Sequence, residues 1–330
     1  MSKNPETLLL AYRGGIVENI ISGHYVIVKN GKIIESNGNP NLIAYMRSSS
    51  KPIQGLAVIL SGAADKFRLS QKELAIMCAS HVADPVHIDL VRSIMRKFKI
   101  TEKMLLCGTH KLQSEITWGK ILNGELENSP AFNNCSGKHL GMILSARALG
   151  VSTDNYINPA HPVQRLNLQL VTLMSGARPS EINIGVDGCG APNFALPMKN
   201  MALAFQTLTN PGRLEPQLKE ACLRITSAIG KFPQYIHGRK RYDTEFMKLR
   251  RDSISKGGAE GVQCVGFKGK NLALALKISS GDEIIYTTAA LLVLKKYNII
   301  SQKEFLSMKP FSETNRYNAQ NVKIGEIVLA

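Results

Sequence analysis

An α+β fold is what this sequence predicts, and two patterns predict it. The chain opens and later returns to strand-like runs, while its middle third carries apolar residues at helical spacing. Composition sets the scale. Of 330 residues, 44% are hydrophobic and 20% charged, enough apolar side chain for a sizeable core and too little charge for disorder. No Ser/Gly/Pro-rich stretch reads as a linker, so the length suggests one large domain or two intimately joined ones.

Taken in order, residues 16–34 alternate around a Lys29-Asn30-Gly31 turn signal, which predicts a hairpin pairing Val26-Ile27-Val28 with Lys32-Ile33-Ile34. From Pro52 to about Tyr156 the apolar positions Leu56, Ile59, Leu74, Ile88, Val91, Ile94 and Ile143 fall at helical spacing between Gly, Pro and Asn breaks. His161-Pro162 opens an amphipathic helix, and Pro216–Ile229 reads as another. Strands are expected at 262–265, 272–278 and 284–286, followed by a helix over 287–297. Sheet, then helices, then sheet again suggests an α+β body holding a helical lobe, with a cleft between them.

Forty-one Lys and Arg against 25 Asp and Glu give a net charge of +16. That balance suits a nucleic acid, an anionic surface or an acidic small molecule. The most basic window, Lys231–Lys256, has no reader motif or aromatic platform and reads as a solvated face. The apolar run Leu8–Tyr12 is too short for a secretory signal, and no segment approaches the ~20 apolar residues of a membrane helix. A cytoplasmic protein with no membrane partner is expected. Cysteines 78, 107, 135, 189, 222 and 264 form no C-x-x-C pair and are expected as reduced thiols, used for packing or metal.

Several short segments could carry chemistry. Ser48-Ser49-Ser50-Lys51 is an S-x-x-K motif, placing a hydroxyl and an amine one helical turn apart. A free lysine has a pKa of ~10.4, so a lysine acting there as base needs burial or a neighbouring cation such as Arg47. The bland alternative is a solvated helix start, and Ser253-Ile254-Ser255-Lys256 shows how readily the pattern recurs. Arg47 is alternatively an anchor for a carboxylate. Cys78-Ala79-Ser80-His81 reads as a helix C-terminus with a satisfied histidine. Asn133–His139 and Gly185–Gly190 each combine small and polar residues with one cysteine. Thiolates at Cys135 and Cys189 suit zinc, and His139 is the conventional third ligand to expect from residue type. The plainer reading of both is a buried thiol. Three glycines in Lys256-Gly257-Gly258-Ala259-Glu260-Gly261 permit close backbone approach or a simple turn.

Together these segments resemble one family. The ordered set Arg13–Glu18, Gly38-Asn39-Pro40, Arg47–Pro52, Cys78–His81, Asn134–His139, His161–Gln164, Asp187-Gly188-Cys189 and Lys256–Gly261 is similar to the thermolabile, rhizobial-type L-asparaginases, over nearly the whole chain. The resemblance implies a serine β-lactamase/glutaminase-like fold and hydrolysis of L-asparagine to L-aspartate and ammonia. The expected organisation is one domain, 1–330, with an α/β body from 1–50 and 180–330 and a mainly helical lobe over 51–179. The implied catalytic groups are two Ser-Lys pairs, Ser48 with Lys51 and Ser80 with Lys256, Ser48 being the expected nucleophile. The implied zinc ligands are Cys135, Lys138 and Cys189, with Asp187 close by, which displaces His139. Arg47 and Asp187 are our expected substrate-binding groups, and a homodimer is implied.

Two segments depart from the family pattern. Val82-Ala83-Asp84-Pro85 stands where Ser and an acidic residue are common, which bears on substrate preference. Ile278-Ser279-Ser280-Gly281 carries serine where an acid before glycine is common. Other readings are a second serine amidohydrolase, such as a glutaminase or penicillin-recognising enzyme, and a basic nucleic-acid-binding protein.

Overall fold

The computed structural model describes residues 6–330. Four strands open it: β1 (Thr7–Arg13), β2 (Ile16–Lys29), β3 (Lys32–Asn37) and β4 (Ile43–Tyr45). A 3₁₀ turn over Arg47–Ser50 leads into the helices α1 (Lys51–Leu60), α2 (Ala63–Lys66), α3 (Gln71–Met77), α4 (Pro85–Lys97), α5 (Glu115–Leu122), α6 (Ser136–Leu149) and α7 (Pro162–Ser175). Then come β5 (Asn183–Val186), β6 (Pro192–Pro197), α8 (Met198–Thr209), α9 (Pro216–Lys231) and α10 (Tyr242–Leu249). Strands β7 (Ser253–Gly258), β8 (Val262–Phe267) and β9 (Leu272–Ile278), helices α11 (Glu283–Lys296) and α12 (Gln302–Ser307), and strands β10 (Asn315–Tyr317) and β11 (Lys323–Leu329) complete the chain.

All strand pairs are antiparallel. The large sheet runs β10-β11-β1-β2-β9-β8-β7 with β3 paired to β2, and a small sheet runs β4-β6-β5. The hairpin at Asn30-Gly31 forms where expected, with Val28 opposite Ile33 and positive φ at both turn residues, the conformation Asn-Gly favours.

The sheet is covered on both faces, and alternation sorts side chains by size. On β2, Val26 and Val28 join the core beneath the helices, whereas Tyr25 and Ile27 join the core beneath α11. On β9, Ala273 and Ala275 face the first core and Leu272, Leu274, Leu276 and Ile278 the second. The small residues let α8 lie close. A Cβ on Gly266 would sit 2.5 Å from the Phe205 carbonyl oxygen, so glycine there is a packing requirement.

Several sequence expectations hold: Pro162 begins α7, with the His161 side chain accepting the Val163 N–H, and Pro216 begins α9. The strand expected at 284–286 is instead the first turn of α11. Asp282 caps it by accepting the Ile284 and Ile285 N–H groups, and this local hydrogen bonding outweighs the β-branched run. Ser253-Ile254-Ser255-Lys256 lies in β7, where residues three apart point to opposite faces, so Ser253 and Lys256 are not a helical pair. The window 231–256 is not a uniformly solvated face either: Arg250 and Lys256 are buried within it.

Gly266→Ala forces a backbone shift at the α8–β8 contact. The expected cost is about 1–3 kcal/mol, read as a lowered thermal midpoint, whereas an unchanged midpoint would contradict the packing described here.

Candidate active site

The 3₁₀ turn before α1 is set by strain and by geometry. Arg47 has φ of 50°, the left-handed region that a long side chain rarely adopts, and its N–H is held by Asn193 Oδ1 at 3.1 Å. Residues i and i+3 eclipse in a 3₁₀ helix, so Ser48 and Lys51 share one face. Ser48 is partly exposed, while Lys51 is 1% exposed.

Lys51 Nζ donates to Ala79 O and to Ser80 Oγ, each at 2.8 Å. Its hydrogen-bonded serine is therefore Ser80 rather than Ser48. The loop after α3 that carries Ser80 is fixed by two backbone bonds: Ser80 N–H to Ile236 O at 2.8 Å and Val82 N–H to His237 O at 3.0 Å. His81 is a satisfied core histidine, accepting the Ala83 N–H on Nδ1 and pairing through Nε2 with Ser136 Oγ at 2.9 Å. In the divergent segment, Pro85 opens α4 and the Asp84 N–H bonds His87 Nδ1, which makes it a helix start.

Lys256 reaches the same region from β7. It is 2% exposed, and its Nζ donates to Gly257 O at 2.8 Å and lies 3.8 Å from Asp243 Oδ2. Ser80 is not its hydrogen-bond partner, so the expected pairing of these two is not the one observed. Burial, opposed by Asp243 and reinforced by the Lys51 cation, lowers Lys256 to about 8. β7 also presses on the serine turn: a Cβ on Gly258 would lie 2.7 Å from Met46 O and 3.3 Å from Ser48 N.

Arg47 and Asp187 are brought together. Arg47 Nε donates to Asp187 Oδ1 at 2.9 Å, and its guanidinium is 3.8 Å from Glu260. Arg47 also lines an open recess of about 570 Å³, together with Tyr45, Glu260 and Lys277.

Beyond Asp187 lies a sulfur-rich cluster. One ligand atom from each of Cys135, Asp187 and Cys189 lies within 4.8 Å of the others. Lys138 Nζ donates to Cys189 Sγ at 3.1 Å. The hydrogen bond from Cys135 holds Cys189 as a thiolate, well below the usual thiol range despite burial, and correspondingly raises Cys135. Burial works against the charge of Lys138, but the adjacent thiolate keeps its ammonium above the ordinary value. His139 bonds Tyr156 through Nδ1 at 2.7 Å, and its buried Nε2 has no hydrogen-bond partner. Two sulfurs and a carboxylate converging beside an amine are a donor set that suits zinc.

Residue-type reasoning missed Asp243 and Asn193, which hold the site from behind. An acid thirteen residues before Lys256, inside a strongly basic window, was the one signal for Asp243.

Two buried lysines and the Ser80 hydroxyl thus lie beside the turn that carries Ser48. Residues 10–329 match the family described as L-asparaginase II. The chain belongs to that family and is an amidohydrolase. No curated protein matches it. Among solved structures it is similar to a class C β-lactamase, at 11% identity over 86% of this chain and 92% of the other, with a TM-score of 0.43. It is also similar to a Bacillus subtilis glutaminase in covalent complex with 5-oxo-L-norleucine, at 11% identity over 77% and 79% of the two chains, with a TM-score of 0.34. Among the described residues no helix is long and apolar enough to cross a membrane.

Gly258→Val drives two methyl groups toward the Met46 carbonyl and the Ser48 N–H. Amide hydrolysis should fall by at least about tenfold in kcat while the variant stays folded; wild-type kcat would show that β7 does not constrain the serine turn.

Proposed function

We propose that this enzyme hydrolyses L-asparagine to L-aspartate and ammonia, with Ser48 as nucleophile and Lys51 as its base. The observation that carries the reading is the buried Lys51 amine, bonded to Ala79 O and Ser80 Oγ and eclipsed with Ser48. A neutral amine has two N–H donors and one lone pair. With both donors occupied, the lone pair is left to accept the Ser48 proton.

The atoms then balance as follows. Ser48 Oγ attacks the side-chain amide carbon as its proton passes to Lys51. The oxyanion is met by backbone donors, for which the Ser48 N–H, in the first turn of a 3₁₀ helix without an intrahelical acceptor, is well placed. Lys51 returns the proton through the Ser80 hydroxyl to the amide nitrogen, the C–N bond breaks, and ammonia leaves. Water, deprotonated by Lys51, cleaves the aspartyl ester and regenerates Ser48. Lys256 sets a second positive charge beside Lys51.

Arg47 is suited to the substrate α-carboxylate, and Asp187 and Glu260 beside it to the α-ammonium, so the charged wall matches a zwitterionic amino acid. Zinc would be held by Cys135, Cys189 and a deprotonated Lys138, with Asp187 adjacent. Bound there, it supplies fixed positive charge and ties α6 to the loop before β6. The homodimeric form rests on the resemblance alone.

Ammonia release from L-asparagine, with L-glutamine beside it, tests the reading. Ser48→Ala is expected to lose at least about a thousandfold in kcat. Activity that survives it but vanishes in Ser80→Ala would move the nucleophile to Ser80, and no asparagine turnover by folded wild type would overturn the substrate. A base must lose its proton to work, so kcat should rise as the pH is raised from 6 to 9. A flat profile from pH 6 to 9 would contradict a lysine base. Protein purified without chelator should carry stoichiometric zinc, absent from Cys189→Ser; equal zinc in both would remove the cysteines from the metal site.

A further inference from the structure

Behind Lys256 is a polar cluster that the proposed reaction does not use. Its centre is Asp243, on the first turn of α10 and 1% exposed. Oδ1 accepts Ser255 Oγ–H at 2.7 Å and Gln263 Nε2–H at 3.0 Å, and Oδ2 accepts the Gly257 N–H at 2.8 Å. Gln263 also donates to Ser255 Oγ at 2.8 Å, closing a ring across β7 and β8. Gly257 is needed for the approach, since a Cβ there would meet Tyr286 OH at 2.7 Å.

A buried carboxylate is costly unless its charge is compensated. Here Lys256 Nζ lies 3.8 Å and His237 Nδ1 3.7 Å from Oδ2. His237 belongs to the segment whose carbonyl oxygens, with that of Ile236, hold the Ser80 loop. Asp243 thus touches the strand that carries Lys256 and lies 3.7 Å from the segment that holds the Ser80 loop.

We propose that Asp243 is a positioning residue of the amide hydrolysis, fixing β7 and Lys256 on one side and the segment that holds the Ser80 loop on the other, and supplying the negative charge that compensates the Lys256 ammonium. The inference rests on the Ser-Lys reading above.

The charges around this pair come from every neighbouring element. Lys51 from α1 lowers the affinity of Lys256 for its proton, whereas Asp243 from α10, Glu283 from α11 and Cys135 before α6 raise it. His237 itself is driven by burial down to about 3 and is neutral at working pH, and Arg241 stands behind it. Asp243 is the largest counterweight to desolvation. Removing its charge while keeping its shape should release the Lys256 proton at lower pH.

The test is the pH profile of kcat for asparagine hydrolysis in wild type, Asp243→Asn, Asp243→Glu and Lys256→Met, each checked for folding by thermal melting. Asp243→Asn is expected to move the rising limb down by about one pH unit and to lower the plateau by about tenfold, with KM changed less than twofold. Asp243→Glu, which restores the charge, should return the limb toward its wild-type position. A lowered plateau with an unmoved limb would make Asp243 a structural residue only and overturn the inference. Should Asp243→Asn not fold, Ser255→Ala removes one donor from the same carboxylate, and kcat should fall by about two- to fivefold at unchanged KM. Wild-type kcat in that variant would likewise overturn it. Lys256→Met separates the two levels. If it retains full activity, the Ser-Lys reading falls with the inference; if it is inactive while Asp243→Asn keeps its limb in place, the role of Asp243 alone falls.

Discussion

Two lysine side chains buried together are the constraint around which this molecule is arranged. Neither charge is solvated by water, and each opposes the other, so the fold must supply compensation from its own polar groups. It does so asymmetrically. Lys51 is given neutral acceptors, a carbonyl and a hydroxyl, whereas Lys256 is given one carbonyl and a carboxylate nearly 4 Å away. That difference separates two groups of the same residue type: burial loosens the Lys256 proton, to about 8, against the opposing pull of Asp243.

The architecture explains how such a pair is kept in register. Lys51 stands at the start of a helix and Lys256 on the edge strand of a sheet whose two faces are both covered. Packed cores are poorly compressible, so an edge strand backed by α8 and α11 is a rigid support. Ser80, by contrast, sits in a loop, and that loop is tied by backbone hydrogen bonds to the segment before α10. Strain at Arg47 belongs to the same arrangement: a left-handed residue reverses the chain between β4 and α1 and turns Ser48 toward β7.

Much of this was legible in the sequence, and the rest was not for identifiable reasons. The Asn-Gly hairpin, the Pro-initiated helices and the apolar periodicity of the middle third are local signals, and they folded as local signals should. The first turn of α11 was misread because a short apolar run has the same look in either state, and Asp282 decided it. The members of the site came from ordered motifs resembling a known family. Their connections did not, because hydrogen bonding between Lys51 and Ser80 is a tertiary fact that spacing in S-x-x-K does not encode. His139 was the natural ligand by residue type. It bonds Tyr156 through Nδ1 and bears on the Cys189 sulfur, outside the group that Cys135, Asp187 and Cys189 form. Asp243 was hidden by its surroundings, since an acid within a basic window reads as one partner of a surface pair until burial is known.

The central claim is that the buried lysines direct the chemistry to Ser48. Rapid acid quenching of the enzyme during turnover of L-asparagine, followed by peptide mass mapping, tests it directly. An aspartyl adduct on the peptide carrying Ser48, absent when the quench precedes substrate, is the predicted result. An adduct on Ser80 with none on Ser48 would contradict the account.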